Sequence, residues 1–334
     1  MAGNRVTIYD VATAAGVSIS TVSLALNSPG RVTPETRRKV LAAADDLGFV
    51  PKADAVTRAR RGVGRIGVIA PFSSYASFAR RLNGIFASLH DASLEVVVFD
   101  VESAATTASP LLASLPIAQR LDGLIIMALP LEESVAQRLH RLRLPTVLVD
   151  SLRDDFDCVS TDDRGGGELV AHHLVDRGHL RLGFVGEEQR SHAYVSSSER
   201  RLDGFRSAAA ARGATLADDA IRLVTHDVDE ARRAADELLS RPDPPTAVFA
   251  HDDLLAAGVL QAAHSRGLAV PGQLAVVGFD DSDVAMALGL TTVRQPFEES
   301  GRAGIRALLD QMTNAGAPSR HTMLRLSLVQ RATT

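Results

Sequence analysis

The chain has 334 residues, of which 46% are hydrophobic and 23% charged, with a net charge of −4. Such a composition indicates a globular protein of two or three domains. A single cysteine, Cys158, excludes an intrachain disulfide and is expected to be a core residue. The sequence shows neither a secretory signal nor an apolar run of about 18 residues, so we expect no membrane partner and a cytoplasmic location.

Charge is unevenly distributed along the chain. Residues 1–61 contain nine Lys and Arg against five Asp and Glu, which gives +4 and leaves −8 for the remainder. A basic N-terminal segment on an acidic body predicts that this segment alone contacts a polyanion.

The N-terminal segment begins with a predicted helix. Thr7 suits its N-cap, with Asp10 placed three residues later as in a capping box, and Gly16 is expected to end it. The apolar residues at helical spacing are Ile8, Val11, Ala12 and Ala15.

Two further helices follow. Ser18 is predicted to cap the second helix, and the third has Thr33 as cap, Pro34 at its first position and Gly48 as C-cap. The inward-facing positions are Val22, Leu26, Val40, Ala44 and Leu47. Two short helices around a glycine turn, braced by a third, predict a helix-turn-helix. A small helical bundle without a ligand is the alternative.

The second helix lies in the uncharged stretch "GVSISTVSLALN", residues 16–27. Hydroxyls, backbone N–H groups and the helix dipole bind phosphate without a charged side chain, which suits Ser18, Thr21, Ser23 and Asn27. The residues left to face base edges are Ile19, Ser20 and Leu24. Positive charge lies elsewhere in the segment, on Arg31, Arg37, Arg38 and Lys39.

"TIYDVATAAGVSISTVSLALN" and "RVTPETRRKVLAAADDLGFVP" together resemble the headpiece of the LacI/GalR family of bacterial transcription regulators over residues 7–51. The resemblance implies that Ile19, Ser20 and Leu24 read bases. It further implies phosphate contacts at Thr7, Ser18, Thr21, Ser23 and Asn27.

Residues 51–65 form a predicted linker between the headpiece (1–50) and the body (66–334). The resemblance implies a hinge helix in the minor groove, where a Leu wedges a base step. This chain departs from that pattern, because Lys52 stands where Asn is usual and Arg58 where the wedge Leu is expected. Arg58 suits a narrow A·T minor groove, so we expect weak operator bending. A solvated tether is the alternative for residues 58–61.

The body alternates short apolar runs with helical patterns, which predicts α/β architecture with parallel sheets. The predicted strands are 66–70, 94–100, 123–128, 145–150, 181–186, 246–250 and 274–280, with a strand-like end at 324–331. About 270 residues exceed one such sheet, so we expect two lobes with a ligand cleft at the carboxyl ends of the strands.

The body carries "LDGLII", "HHLVDRGHLRLGFVG", "VPGQLAVVGFDD" and "LTTVRQPFEESG", which also resemble the family and imply a fold similar to periplasmic sugar-binding proteins. The implied effector contacts are Asp150, Arg201, His251 and Asp280, with His251 standing where Asn is usual. Phe72, Tyr75 and Phe78 are candidates to stack on a sugar ring.

Each of these assignments has an alternative. The aromatic residues suit core packing equally well, and Asp280 suits a helix cap. Asp150 and Arg201 suit a structural ion pair with each other.

No P-loop, dinucleotide-binding fingerprint or nucleophile elbow occurs, so we expect no cofactor and no enzymatic activity. We predict a homodimeric transcriptional regulator, a repressor, that binds a pseudo-palindromic operator under control of a small-molecule effector, a carbohydrate. The alternative is a sugar-binding module or sugar-acting enzyme with a vestigial headpiece.

Overall fold

The computed structural model describes residues 6–27, 29–49, 64–90, 92, 94–101, 121–189, 196–314 and 316–334. The chain folds into two compact units. Unit 1 comprises Met1–Ser160 and Glu298–Thr322, and unit 2 comprises Thr161–Phe297 and Met323–Thr334.

The headpiece contains helices α1 (Ile8–Ala15), α2 (Ile19–Asn27) and α3 (Pro34–Asp46), with a 3₁₀ turn at Pro29–Arg31. Its own apolar core includes the fully buried Val11, Val22, Ala25 and Val40. A helix-turn-helix is therefore what the hydrophobic pattern builds.

The helix ends follow the predicted capping chemistry with one correction. Gly16 ends α1 at φ 65°, and the Thr33 side chain accepts the Thr36 N–H at the start of α3. The predicted C-cap Gly48 is wrong by one residue, because α3 ends with Leu47 as its C-cap. Helical dihedrals persist through Leu47, and the left-handed turn that favours glycine comes next, at Gly48 with φ 62°.

Unit 1 continues with a six-stranded sheet. Its strands are β1 (Gly64–Ala70), β2 (Leu94–Asp100), β3 (Gly123–Met127), β4 (Thr146–Val149), β5 (Asp157–Thr161) and β11 (His321–Leu324). Their order is β11-β5-β4-β3-β1-β2, and the pairs within β1 to β5 are parallel. The helices are α4 (Ser77–Ser88), α5 (Glu133–Arg141) and α11 (Phe297–Thr313). The carboxyl ends of β1 to β5 therefore lie at one edge.

Unit 2 repeats this arrangement. Its strands are β6 (Leu182–Glu187), β7 (Ile221–Val224), β8 (Ala247–Ala250), β9 (Ala275–Asp280), β10 (Thr291–Arg294) and β12 (Ser327–Val329). The order is β12-β10-β9-β8-β6-β7, and only β12 is antiparallel among the pairs described. The helices are α6 (Asp163–Asp176), α7 (Ser197–Ala211), α8 (Val228–Leu239), α9 (Asp253–Ser265) and α10 (Asp283–Leu288).

All seven predicted body strands are present, with ends shifted by at most two residues. Four strands without a matching prediction are β5, β7, β10 and β11. They are short, and β7 is mostly half-exposed while β11 is mostly exposed, so hydrophobic periodicity does not mark them.

Among the described residues no single helix is long and apolar enough to cross a membrane. Helices α1 and α2 are long and apolar enough only when taken together, and the two are bent by 101° relative to each other. Within the same residues no group of three or more His, Cys, Asp or Glu side chains is arranged to hold a metal ion.

Candidate functional site

The N-terminal end of helix α2 presents hydroxyls and one apolar side chain to solvent. Ile19 is 41% exposed, and Ser18 and Ser20 beside it are also exposed. The Ser18 hydroxyl accepts the Thr21 N–H at 3.1 Å and lies 2.7 Å from the Ser20 hydroxyl. The opposite face buries Val22 in the headpiece core. Two of the predicted base-reading residues, Ile19 and Ser20, are therefore accessible from solvent.

The remaining predicted DNA contacts are spread around this surface. Thr7 donates its N–H and its hydroxyl to the Asp10 carboxylate, both at 2.7 Å, and these bonds lower the pKa of Asp10. The half-buried residues are Thr21, Ser23, Leu24 and Arg37. Asn27 is the last residue of α2. Lys52 and Arg58 lie outside the described residues.

In unit 1 the predicted effector residues follow strands β1 and β4. Asp150 comes directly after β4 at φ 56° and forms an ion pair with Arg81 of α4. The guanidinium of Arg81 is buried and lies 5.0 Å from the Phe78 ring centroid. Arg81 was not predicted from sequence, because its partner Asp150 lies 69 residues away in the chain.

The aromatic residues after β1 divide into two kinds. Phe72 and Tyr75 are half-buried, whereas Phe78 is buried. The Phe78 ring centroid lies 6.2 Å from that of Phe72 and 6.0 Å from that of Tyr75, edge to face in both pairs. The alternative of core packing therefore holds for Phe78, and Phe72 and Tyr75 retain accessible surface.

In unit 2 the predicted effector residue Arg201 is buried on helix α7. Its Nε donates to Asp163 at 2.9 Å and its Nη1 donates to the carbonyl oxygen of His251 at 2.7 Å. Its guanidinium lies 3.7 Å from the Phe279 ring centroid. Burial acts to raise the pKa of Asp163, but the charges of Arg201 and Arg200 outweigh it and hold that pKa below its usual value. Arg201 is thus fixed in place before any ligand binds.

His251 follows β8 and is buried beside Arg201. Burial and the Arg201 charge lower the pKa of His251 to about 3, so its imidazole is neutral at pH 7. Its Nε2 lies 4.0 Å from a carboxylate oxygen of Glu187, at the end of β6. A neutral imidazole both donates and accepts, as a hydroxylated ligand requires.

A second histidine lies near the carboxyl end of β7. His226 bonds through Nε2 to Asp252. Burial lowers the pKa of His226, but the bond to Asp252 outweighs it and raises the pKa to about 9. His226, Glu187 and Asp252 were missed from sequence. The predicted strands 181–186 and 246–250 end just before Glu187 and Asp252 and could have pointed to them, whereas His226 follows β7, which the sequence pattern does not mark.

Asp280 ends β9 and accepts a hydrogen bond from Gln295 at 2.6 Å. The alternative of a helix-capping role for Asp280 is wrong, because Ser282 caps α10. Asp253, the first residue of α9, accepts the Ser282 N–H and the Thr292 hydroxyl. Burial, followed by the Asp280 charge, raises the pKa of Asp253 to about 7.

The alternative of an Asp150–Arg201 ion pair is not observed. Asp150 pairs with Arg81 in unit 1, and Arg201 pairs with Asp163 in unit 2. Asp150 and Arg201 therefore each have an ion-pair partner within their own unit.

Closely packed helices position both arginines. In unit 2 a Cβ on Gly204 would overlap the Arg164 carbonyl oxygen, and one on Gly167 would overlap the Arg201 carbonyl oxygen. In unit 1 a Cβ on Gly84 would overlap the Glu298 carbonyl oxygen. Only glycine permits such approach, so these helices cross backbone to backbone.

Comparison with known families matches both parts of this description. Residues 7–52 match the lacI family of bacterial regulatory proteins, and residues 171–334 match a periplasmic binding protein-like domain. The HTH-type transcriptional repressor PurR of Photobacterium profundum is 30% identical over 92% of each chain. The chain belongs to the LacI family.

Two solved structures show the same fold over the full length. The Lac repressor dimer bound to operator and the anti-inducer ONPF is 27% identical, with a TM-score of 0.71 over 99% of each chain. A complex of the transcriptional regulator CelR with cellobiose is 28% identical, with a TM-score of 0.70 over 99% of this chain and 100% of that chain. The predicted family and fold are confirmed.

Proposed function

We propose that this LacI-family protein is a cytoplasmic homodimeric repressor that binds a pseudo-palindromic operator and responds to a carbohydrate. The observation that carries the proposal is the exposed, hydroxyl-rich N-terminal end of α2, where Ile19 and Ser20 face solvent while Val22 anchors the helix. A dimer supplies two such helices, and one headpiece alone buries too little surface for tight specific binding.

In this proposal Ile19, Ser20 and Leu24 read base edges. The phosphate contacts come from Thr7, Ser18, Thr21, Ser23, Asn27 and Arg37, with Lys52 and Arg58 added from the linker. The Ser18 hydroxyl accepts the Thr21 N–H, which holds its oxygen at the exposed N-terminal end of α2, where a phosphate oxygen can accept its proton.

The effector binds at the carboxyl ends of the strands, to Phe72 and Asp150 in unit 1 and to Arg201, His251 and Asp280 in unit 2. A carbohydrate fits because carboxylates accept from its hydroxyls while Arg201 donates to them. Relatives support the ligand class, since CelR is in complex with cellobiose. Effector and operator must change each other's affinity by the same factor, typically 5–150-fold.

Fluorescence anisotropy tests this function. The full chain is titrated onto labelled DNA from upstream of its own gene, with and without a panel of sugars. Tight, salt-sensitive binding that one sugar alters is the expected result. Binding no tighter than to random DNA, or turnover of the bound sugar, contradicts the proposal and favours the sugar-binding or enzymatic alternative.

Matched variants assign the contacts. Ile19→Ala is expected to weaken operator binding about tenfold and to relax specificity at one base pair. Thr13→Ala, exposed on α1 and outside the proposed contacts, is the control and should bind as the parent does.

A further inference from the structure

The headpiece contacts the rest of unit 1 through one carboxylate and two arginines. Arg138 of helix α5 donates from Nε to one oxygen of Asp45 at 2.9 Å and from Nη2 to the other at 2.6 Å. Arg141 places its Nη2 2.9 Å from the first oxygen. A two-bond guanidinium–carboxylate pair fixes direction as well as distance.

Both ends of this contact are attached to packed structure. Asp45 lies in the last turn of α3, next to the buried Ala44. Helix α5 is held in unit 1 by the buried Leu139 and by His140, whose ring stacks on Phe156 with centroids 4.6 Å apart. The ion pairs therefore connect two packed helices, α3 and α5.

The burial of the pair separates it from an ordinary surface ion pair. The side chain of Arg138 is 5% exposed and that of Asp45 is 19% exposed, whereas Arg141 at 51% is a peripheral contributor. Exposed pairs contribute little because water and salt screen them. Arg138 and Asp45 are largely shielded from that screening.

Helix dipoles favour the same contact. A carboxylate at the C-terminal end of α3 faces the negative end of its own helix, which disfavours it in an isolated headpiece. Arg138 and Arg141 lie in the last turn of α5, where positive charge is favoured. The charge of Asp45 is thus disfavoured by the dipole of α3 and favoured by the positive charges at the end of α5.

We propose that helix α5 is a docking surface for the headpiece of the same chain, through Arg138 and Arg141 bound to Asp45. This contact, the dock, leaves the proposed DNA-binding end of α2 accessible, because Ser18, Ile19 and Ser20 remain exposed. It therefore orients the recognition helix relative to unit 1 without blocking it.

Through these ion pairs, a movement of helix α5 can change the position of the headpiece directly, without acting through the linker. If the proposed function holds, loss of the dock reduces the factor by which the effector changes operator affinity, by about threefold or more. This consequence rests on the proposed function, whereas the dock itself is testable without DNA or effector.

Distance measurement between spin labels tests the dock in the full chain. Cysteines replace the exposed Ala14 in the headpiece and Leu152 in unit 1, in a Cys158→Ser background. With excess unlabelled protein, so that a dimer carries at most one labelled chain, the parent is expected to give one narrow distance distribution. Loss of that distance on dilution would mean that the headpiece docks on a second copy, and a broad distribution would mean that no dock forms.

Substitutions then assign the dock to the ion pairs. Asp45→Asn and Arg138→Gln are each expected to broaden the distribution, and the double variant should broaden it no further. Asp46→Asn and Arg143→Gln remove the same charges from neighbouring exposed positions and should leave it narrow. A narrow distribution in Asp45→Asn and Arg138→Gln, with circular dichroism confirming a folded headpiece, overturns the proposal.

Discussion

Units 1 and 2 each bury one arginine near the carboxyl end of a parallel sheet, but they use it in opposite ways. In unit 1 Arg81 pairs with Asp150, the strand-end carboxylate proposed to bind the effector. In unit 2 the carboxylate of Asp163 lies on a helix and holds Arg201, which is itself the proposed effector contact. Each unit also stacks its guanidinium near a phenylalanine, Phe78 or Phe279.

The two sheets therefore present groups of opposite hydrogen-bonding character. Unit 1 offers a hydrogen-bond acceptor held by a buried cation, and unit 2 offers a donor held by a buried anion. Hydroxyl groups both donate and accept, so each sheet by itself can bind a polyhydroxylated ligand. Substitutions in each unit test this difference.

The largest effect is expected from Asp163→Asn, which leaves Arg201 and Arg200 without their shared carboxylate. Removing one partner of a buried ion pair costs about 4 kcal/mol in the free energy of unfolding. Asp150→Asn should cost less, because the Asp150 side chain is 15% exposed against 6% for Asp163. Urea denaturation measures both, and equal losses would show that the two arginines are held alike.

Gly84→Ala and Gly204→Ala test the helix crossings that position the arginines. The added methyl groups meet backbone oxygens that cannot move independently, so we expect a loss of about 3 kcal/mol in each unit. Gly30→Ala adds the same group in open space and should change the free energy of unfolding little. Stability like that of the control would mean that the crossings adjust.

Asp253→Asn tests how ionisation of the buried Asp253 carboxyl in unit 2 affects stability. Because the folded pKa of Asp253 is raised to about 7, its contribution to stability is present below pH 4 and is lost as pH rises through 7. The variant should match the parent near pH 4 and exceed its free energy of unfolding at pH 8, where Asp253 of the parent is ionised. Asp283→Asn, at an exposed position on α10, is the control. An identical pH profile for parent and Asp253→Asn would count against this titration.

The smallest change in stability is expected from Phe72→Ala. Its half-buried ring contributes about 1 kcal/mol to folding, but its loss should weaken binding of the sugar selected in the anisotropy experiment about tenfold. Phe86→Ala removes an exposed ring from α4 in the same unit and should leave sugar affinity unchanged. Titration calorimetry compares the two, and equal affinities would remove Phe72 from the proposed site.

Sequence patterns predicted where the proposed effector residues lie in the fold but few of the side chains that contact them. The strand-end positions of Asp150, His251 and Asp280 follow from hydrophobic runs that stop just before or at them. Arg81 and Asp163 were missed, because a charged residue within a helix gives no sign of the distant side chain that it meets.

Local structure could be predicted from the amino-acid sequence, namely the headpiece helices and seven of the strands, and so could the family. These depend on interactions between near neighbours in the chain, namely caps, glycine turns and hydrophobic periodicity. Only the tertiary structure decided which charges pair, which aromatic residues are buried and that Asp45 meets Arg138, 93 residues away. Long-range contacts require the whole chain to be packed, since burial sets both the strength of an ion pair and the pKa of its members.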